Sequence, residues 1–275
     1  MEDEFYIDYA KLDDIQRGFV DRKINKSMVV TGTAGSGKSV IALHKAKQIA
    51  QITDSYCVVV FTKTLRRYFE DGLRKLGLQN VYHYHRWREV KPHKKYIIVD
   101  ECQDFSPDEI NELINSAEIV FFFGDTDQSI MSFRGKTQDV DDTAVALGLR
   151  RAEPLYTNYR LTIENANFAE KVGEIDDVAD KCIRTGEKPE IIKTNTIDAQ
   201  LDEIIRLKKN KSLTNVGILM PYNTKSTAIN ANAKGYIHAD NPEKLSVEYV
   251  KDYFISKGEP VEYKYHADMD TEMDL

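Results

Sequence analysis

The residues most able to do chemistry in this 275-residue sequence form one run of eight: Gly32, Thr33, Ala34, Gly35, Ser36, Gly37, Lys38 and Ser39. They fit the G-x-x-x-x-G-K-[ST] pattern, and they follow an apolar run, Met28 to Thr31, and precede a helical pattern, SVIALHKAKQIAQ. The spacing has a physical purpose. Glycines let successive backbone N–H groups turn inward onto phosphate oxygens, and the following helix adds positive potential at its N-terminus. Lys38 then reaches the β- and γ-phosphates, and the Ser39 hydroxyl ligates magnesium. A Gly-rich turn with no ligand is the bland alternative, but strand, loop and helix stand in the order the chemistry requires.

A second constellation follows at Asp100-Glu101-Cys102-Gln103-Asp104, directly after the apolar run YIIV. Acids at the carboxyl end of a buried strand face the ligand crevice of an open α/β sheet. In that place Asp100 holds the magnesium, and Glu101 orients and deprotonates an attacking water, as phosphoryl transfer demands. An acidic turn capping the helix that starts at SPDEI is the alternative for this segment taken alone. The two constellations together imply ATP as ligand, with Mg2+.

Elements that can position these residues are visible as short β-branched runs: MVVT (28–31), CVVVF (57–61), NVYHY (80–84), YIIV (96–99) and IVFFF (119–123). Helical patterns lie between several of them, which predicts a doubly wound α/β sheet over residues 1–152. Beyond Pro154 a second alternation follows: a helix at NANFAEKV, strands at EIIKT (190–194), VGILM (216–220) and PVEYKY (260–265), and helices at IDAQLDEIIRLKKN and VEYVKDYFISKG. A second α/β domain is therefore expected over residues 153–275.

Bulk properties narrow the class. A hydrophobic fraction of 41% supports two cores, and no apolar run reaches the ~20 residues that span a bilayer. The acidic start MEDEFYIDYA is unlike a secretory signal, and Cys57, Cys102 and Cys182 lack paired spacing. Free thiols and a cytoplasmic location are expected. The net charge of -7 is unevenly spread: from Thr62 to Lys95 ten Lys/Arg face three acids, a basic stretch suited to a phosphate backbone. A solvated helix face gives the same composition. His83 and His85 share one strand face, but a third metal ligand is not evident.

Several segments together resemble the UvrD/Rep-type superfamily 1 helicases. DECQD is similar to that family's DExQD box, GDTDQSIMSFRG (124–135) to its GDxxQSIYxFRGA segment, LYTNYRL (155–161) to LxxNYRS, and LDDIQRGFV (12–20) to its adenine-reading LNxxQ segment. The order and spacing cover residues 12 to 265. The resemblance implies a RecA-like domain followed by a second, incomplete one. It also implies that Gln16 bonds the adenine edge, that Tyr159 stacks on the base, and that Gln128 and Arg160 contact the γ-phosphate, Arg160 acting as an arginine finger from the second domain. Val40 stands where relatives often carry an arginine that packs on the base.

For nucleic acid, the resemblance aligns Phe61 and Phe133 with base-stacking aromatics, with Thr62, Lys63 and Arg134 beside them. Tyr84, His85 and Trp87 in HYHRW match a further box loosely. Core packing is the alternative for each ring. Nothing matches the family's later TxHxxKGLEF and VAxTRA segments. A missing C-terminal segment and slow hydrolysis are therefore expected. The implied function is an ATP-hydrolysing helicase motor acting on single-stranded DNA, RNA not being excluded; the alternative is an ATP-gated switch acting on a protein partner.

Overall fold

The computed structural model describes residues 7–61, 73, 75–125, 137–173, 176–214, 216–218 and 246–261. Packing divides the chain into two compact units, residues 1–189 and 190–275.

The first unit is built on a six-stranded sheet in the order β3-β2-β4-β5-β1-β6, every adjacent pair parallel. Its strands are β1 (Met28–Gly32), β2 (Tyr56–Val60), β3 (Val81–His83), β4 (Lys94–Asp100), β5 (Ala117–Gly124) and β6 (Glu153–Leu155). All five strands expected in this half are present, and the sheet is that of a RecA-like α/β fold. β6 is an addition: EPL is too short to show a period, and it pairs with β1 over Val30↔Glu153 to Gly32↔Leu155.

The apolar runs are strands because the sheet is covered on both faces, so residues of either parity must be apolar. Val30, Val58, Val60, Ile98, Phe121 and Phe123 enter one core, with Phe19 and Val20 of α1 (Asp14–Asp21) and Ile41, Leu43 and Ile49 of α2 (Lys38–Ala50). Val29, Val59, Ile97, Val99, Val120 and Phe122, one residue out of phase, enter a second core. That core also holds Tyr84 and Trp87 of α3 (Tyr84–Val90), Ile110 and Leu113 of α4 (Pro107–Asn115), and Val140 and Ala144 of α5 (Val140–Ala146). α1 and α4 start at capping boxes, Asp13 with Gln16 and Ser106 with Glu109, which satisfy N–H groups that a helix start leaves open.

Residues 153–189 pack with the first unit, whereas the sequence places a boundary near 152. After β6, a two-stranded parallel ribbon of β7 (Asn158–Thr162) and β8 (Cys182–Arg184) flanks α6 (Ile163–Gly173). The Tyr159 N–H donates to the Gly35 carbonyl at 3.0 Å, which ties the ribbon to the loop after β1.

In the second unit α7 (Ile197–Asn210) and α8 (Val247–Ser256) pack Ile197, Leu201 and Ile205 against Val250 and Phe254. Both helices stand where the sequence predicts them. The strand expected at 190–194 does not form: Ile191 and Ile192 are exposed, and a strand with no partner leaves its main chain unpaired. Residues 216–218 are likewise outside any sheet, and most of the strand expected at 260–265 lies outside the described residues. All three cysteines are free and buried. Among the described residues no helix is long and apolar enough to cross a membrane.

Candidate functional site

The loop between β1 and α2 has the backbone its sequence anticipates. Gly35 and Gly37 both adopt positive φ, 81° and 90°, and Gly37 caps α2 in the left-handed conformation. Space is as restrictive as torsion. A Cβ on Gly35 would lie 2.4 Å from Arg160 Cβ, and one on Gly37 would lie 2.3 Å from Gln16 Nε2. Lys38, almost fully buried, donates to the carbonyls of Gly32 (2.6 Å) and Thr33 (3.1 Å) and stands 3.9 Å from Asp125. The hydroxyls of Thr33 and Ser36 are buried without a hydrogen-bond partner among the described residues. Unpaired polar atoms in a buried loop are costly unless a ligand or water meets them.

Asp100 ends β4 beside this loop. Ser39 Oγ donates to its Oδ2 at 2.7 Å, while its Oδ1 is buried and unpaired. Burial above all, and then the charge of Glu101, push the Asp100 carboxyl well above the usual carboxylate range, with the Ser39 hydrogen bond and Lys38 opposing. A buried carboxylate with an open oxygen next to a hydroxyl is a hard-oxygen pair that suits Mg2+. Among the described residues no group of three or more His, Cys, Asp and Glu gathers to hold a metal. Such an ion would therefore draw its other oxygens from phosphate and water, which is how Mg2+ binds in nucleotide sites.

Glu101 follows in the left-handed region, φ 55° and ψ 47°, a conformation that costs a non-glycine residue roughly 1–3 kcal/mol. Its neighbours hold it there. Gln103 Nε2 donates to Glu101 Oε2 at 2.8 Å, and Gln103 Oε1 accepts from the Asp125 N–H at 2.9 Å. Gln103 thereby links the ends of β4 and β5, a role that its position in the DECQD run does not reveal. Gly124 makes this possible, since a Cβ there would lie 2.5 Å from Cys102 Sγ and 2.9 Å from Gln103 Oε1.

A cavity of about 370 Å³ joins these groups. It is lined by Ala34, Gly35, Gly37, Lys38, Ser39 and Glu101, together with Gln16, Val40, Tyr159 and Arg160. Gln16 reaches it by a double role: its Oε1 accepts from the Asp13 N–H (3.3 Å) and its Nε2 donates to the Ser36 carbonyl (3.2 Å). Three lining residues were not anticipated: Ile7, Lys11 and Arg184. Ile7 and Lys11 precede any motif, and Arg184 comes into play only through the β7–β8 pairing, so no local pattern signals them.

Of the aromatic residues expected to meet bases, Phe61, Tyr84 and Trp87 are described, and all three are buried. Phe61 is 7% exposed and meets Phe105 edge-on at 4.9 Å; Tyr84 and Trp87 are fully buried and stack at 5.8 Å. The Tyr84 hydroxyl donates to Glu112. None of these rings offers a face to a base in this conformation; their apolar area is spent on the second core. His85 is exposed. Thr62, Lys63, Gln128, Phe133 and Arg134 lie outside the described residues, as does much of the basic stretch.

Residues 28–214 match the viral superfamily 1 RNA helicase core domain family, well over half of the chain. The chain belongs to that family. This membership holds at the level of the superfamily 1 helicase core. Among solved structures, arterivirus nonstructural protein 10 (helicase) in complex with DNA aligns at 16% identity and a TM-score of 0.42, over 62% of this chain and 44% of that one. The Pif1 helicase from Candida albicans aligns at 15% identity and a TM-score of 0.38, over 78% and 50%. The chain spans half or less of the length of either structure. No curated protein matches the chain.

Proposed function

We propose that this helicase core binds ATP with Mg2+ and is the motor of a compact UvrD-like helicase that couples hydrolysis to movement along single-stranded DNA. The observation that carries the reading is convergence: Ala34, Gly35, Gly37, Lys38 and Ser39 of the loop, with Glu101, Gln16, Tyr159 and Arg160, come from distant parts of the sequence and line one cavity.

In this reading the loop N–H groups and Lys38 take the phosphates, exchanging the present carbonyl contacts of Lys38 for charge-assisted bonds to the ligand. Ser39 and Asp100 hold the magnesium, which neutralises charge on the phosphate oxygens. Glu101 accepts a proton from the attacking water, and Arg160 meets the charge that builds on the γ-phosphate. Gln16 and Tyr159 frame the base. Gln128, Phe133, Arg134, Thr62 and Lys63 keep the roles the resemblance implies, with His85 as an exposed contact to nucleic acid. Residues 153–275 are read as part of a second RecA-like domain, and the cytoplasm as the working compartment.

The test is ATP affinity by calorimetry together with steady-state hydrolysis, each with and without single-stranded DNA or RNA. Saturable ATP binding is expected, with slow turnover that a single strand raises. Binding and turnover indifferent to either nucleic acid would favour an ATP-gated switch and remove the motor.

A further inference from the structure

The cavity carries more positive charge than its motifs explain. Lys11, Lys38, Arg160 and Arg184 line it against one acid, Glu101. Lys38 has Asp125 at 3.9 Å, but Lys11, Arg160 and Arg184 form no ion pair among the described residues. Uncompensated cations on the wall of a concave site are suited to a polyanion. Resting on the nucleotide reading above, we infer that Arg184 is a second arginine of the site that binds the terminal phosphate of the nucleoside triphosphate alongside Arg160.

The fold explains how a residue 24 positions beyond Arg160 arrives there. β8 runs parallel to β7 with Arg184 opposite Thr162, so the guanidinium swings back over the β7 backbone. Its Nη1 donates to the carbonyls of Arg160 (3.1 Å) and Tyr159 (3.4 Å). Both bonds use the same nitrogen, and a guanidinium has five N–H donors in a planar fork. The other donors remain for an anion, and carbonyl contacts of this length are readily exchanged for a charge-assisted pair with phosphate.

The terminal phosphate is the partner because of what shares the wall. Glu101, the group placed to work on attacking water, lines the same cavity as the two arginines. The loop contact at Gly35 brings the Arg160 Cβ directly against the phosphate cradle. Charge builds at that end of the ligand during phosphoryl transfer, and preorganised cations are most effective there.

The test compares Arg184→Ala and Arg184→Lys with the parent chain, reading affinity for a non-hydrolysable ATP analogue and for ADP, with thermal melting to show that each variant is folded. Arg184 is exposed on a short edge strand, so its replacement leaves both cores intact. The expected result is a roughly tenfold or greater loss of affinity for the triphosphate with Arg184→Ala, little change for ADP, and partial recovery with lysine, which keeps charge but not the fork. Equal loss for both nucleotides would make Arg184 only a support for the β7 backbone and overturn the inference. Unchanged affinity for the triphosphate would overturn it too. Lys38→Ala separates the levels: if the parent binds neither nucleotide, or Lys38→Ala binds as the parent does, the nucleotide reading itself fails. A parent and Lys38→Ala that behave as expected isolate any failure to Arg184.

Discussion

Two regions at the carboxyl edge of one parallel sheet have opposite characters. Around the β1–α2 loop, polar atoms are buried and open: Thr33 Oγ1, Ser36 Oγ and Asp100 Oδ1 lack partners among the described residues, and Glu101 is held in a strained backbone conformation. Around α3, Tyr84, Trp87 and Phe61 are packed against one another, Phe105 and the sheet, and the Tyr84 hydroxyl is satisfied by Glu112. The first region carries the cost of those open polar atoms and of that backbone strain. The second fills a core with its rings: its Tyr84 hydroxyl is paired, and Trp87 Nε1 is left without an acceptor among the described residues. A ring and a phosphate loop of equal promise in a sequence are therefore unequal once packed, because an aromatic residue can satisfy itself in a core whereas an unpaired buried oxygen cannot.

The sharpest way to break this contrast is at Glu101. Glu101→Gln keeps the size and the Gln103 neighbour but removes the proton acceptor, so ATP turnover should fall by about 10²–10⁴ while ATP affinity holds. Parental turnover in a steady-state assay would place the base elsewhere. Next in size is Trp87→Ala, which empties a fully buried site and should cost about 3–5 kcal/mol in denaturant unfolding. Phe61→Ala should likewise register in stability. A variant of either that kept its stability and lost only single-strand affinity would return these rings to the nucleic-acid interface.

Lys38→Ala comes third, with an expected loss of about tenfold or more in ATP affinity, since it deletes the charge facing the phosphates. Calorimetry showing unchanged affinity would contradict the phosphate-loop assignment. The smallest effect concerns Lys45, which sits fully buried on α2 and donates to the Val20 carbonyl at 2.7 Å and to that of Arg22, pinning the end of α1, the helix that carries Gln16. Burial, opposed by the charge of Asp21, lowers its pKa from 10.5 to about 8. Between those values the unfolded chain binds a proton that the folded chain has released, so this group's contribution to stability rises with pH over that window and is flat below it. The parent should therefore gain on Lys45→Met by on the order of 1 kcal/mol between pH 7.5 and pH 10, read from urea midpoints. A difference independent of pH would show that the lysine keeps an ordinary pKa in the fold.

Local pattern was enough for the sequence to determine strands β1 to β5 of the first unit and the glycine-rich loop at the carboxyl end of β1. Apolar runs such as YIIV and IVFFF can be nothing but buried strands when both faces are covered. Gly35, Gly37 and Lys38 work through backbone torsions and a fixed spacing, which are properties of neighbouring residues. Tertiary structure alone decided the rest. Three residues of β6 become a strand only because β1 offers an open edge, and 190–194 stays out of a sheet because no described strand pairs with it. Whether Tyr84, Phe61 and Trp87 face a base or a core depends on what packs over them, and Arg184 enters the cavity through a pairing with a strand more than twenty residues earlier. Those outcomes belong to long-range contacts, whose free energy exists only once the two partners have been brought together.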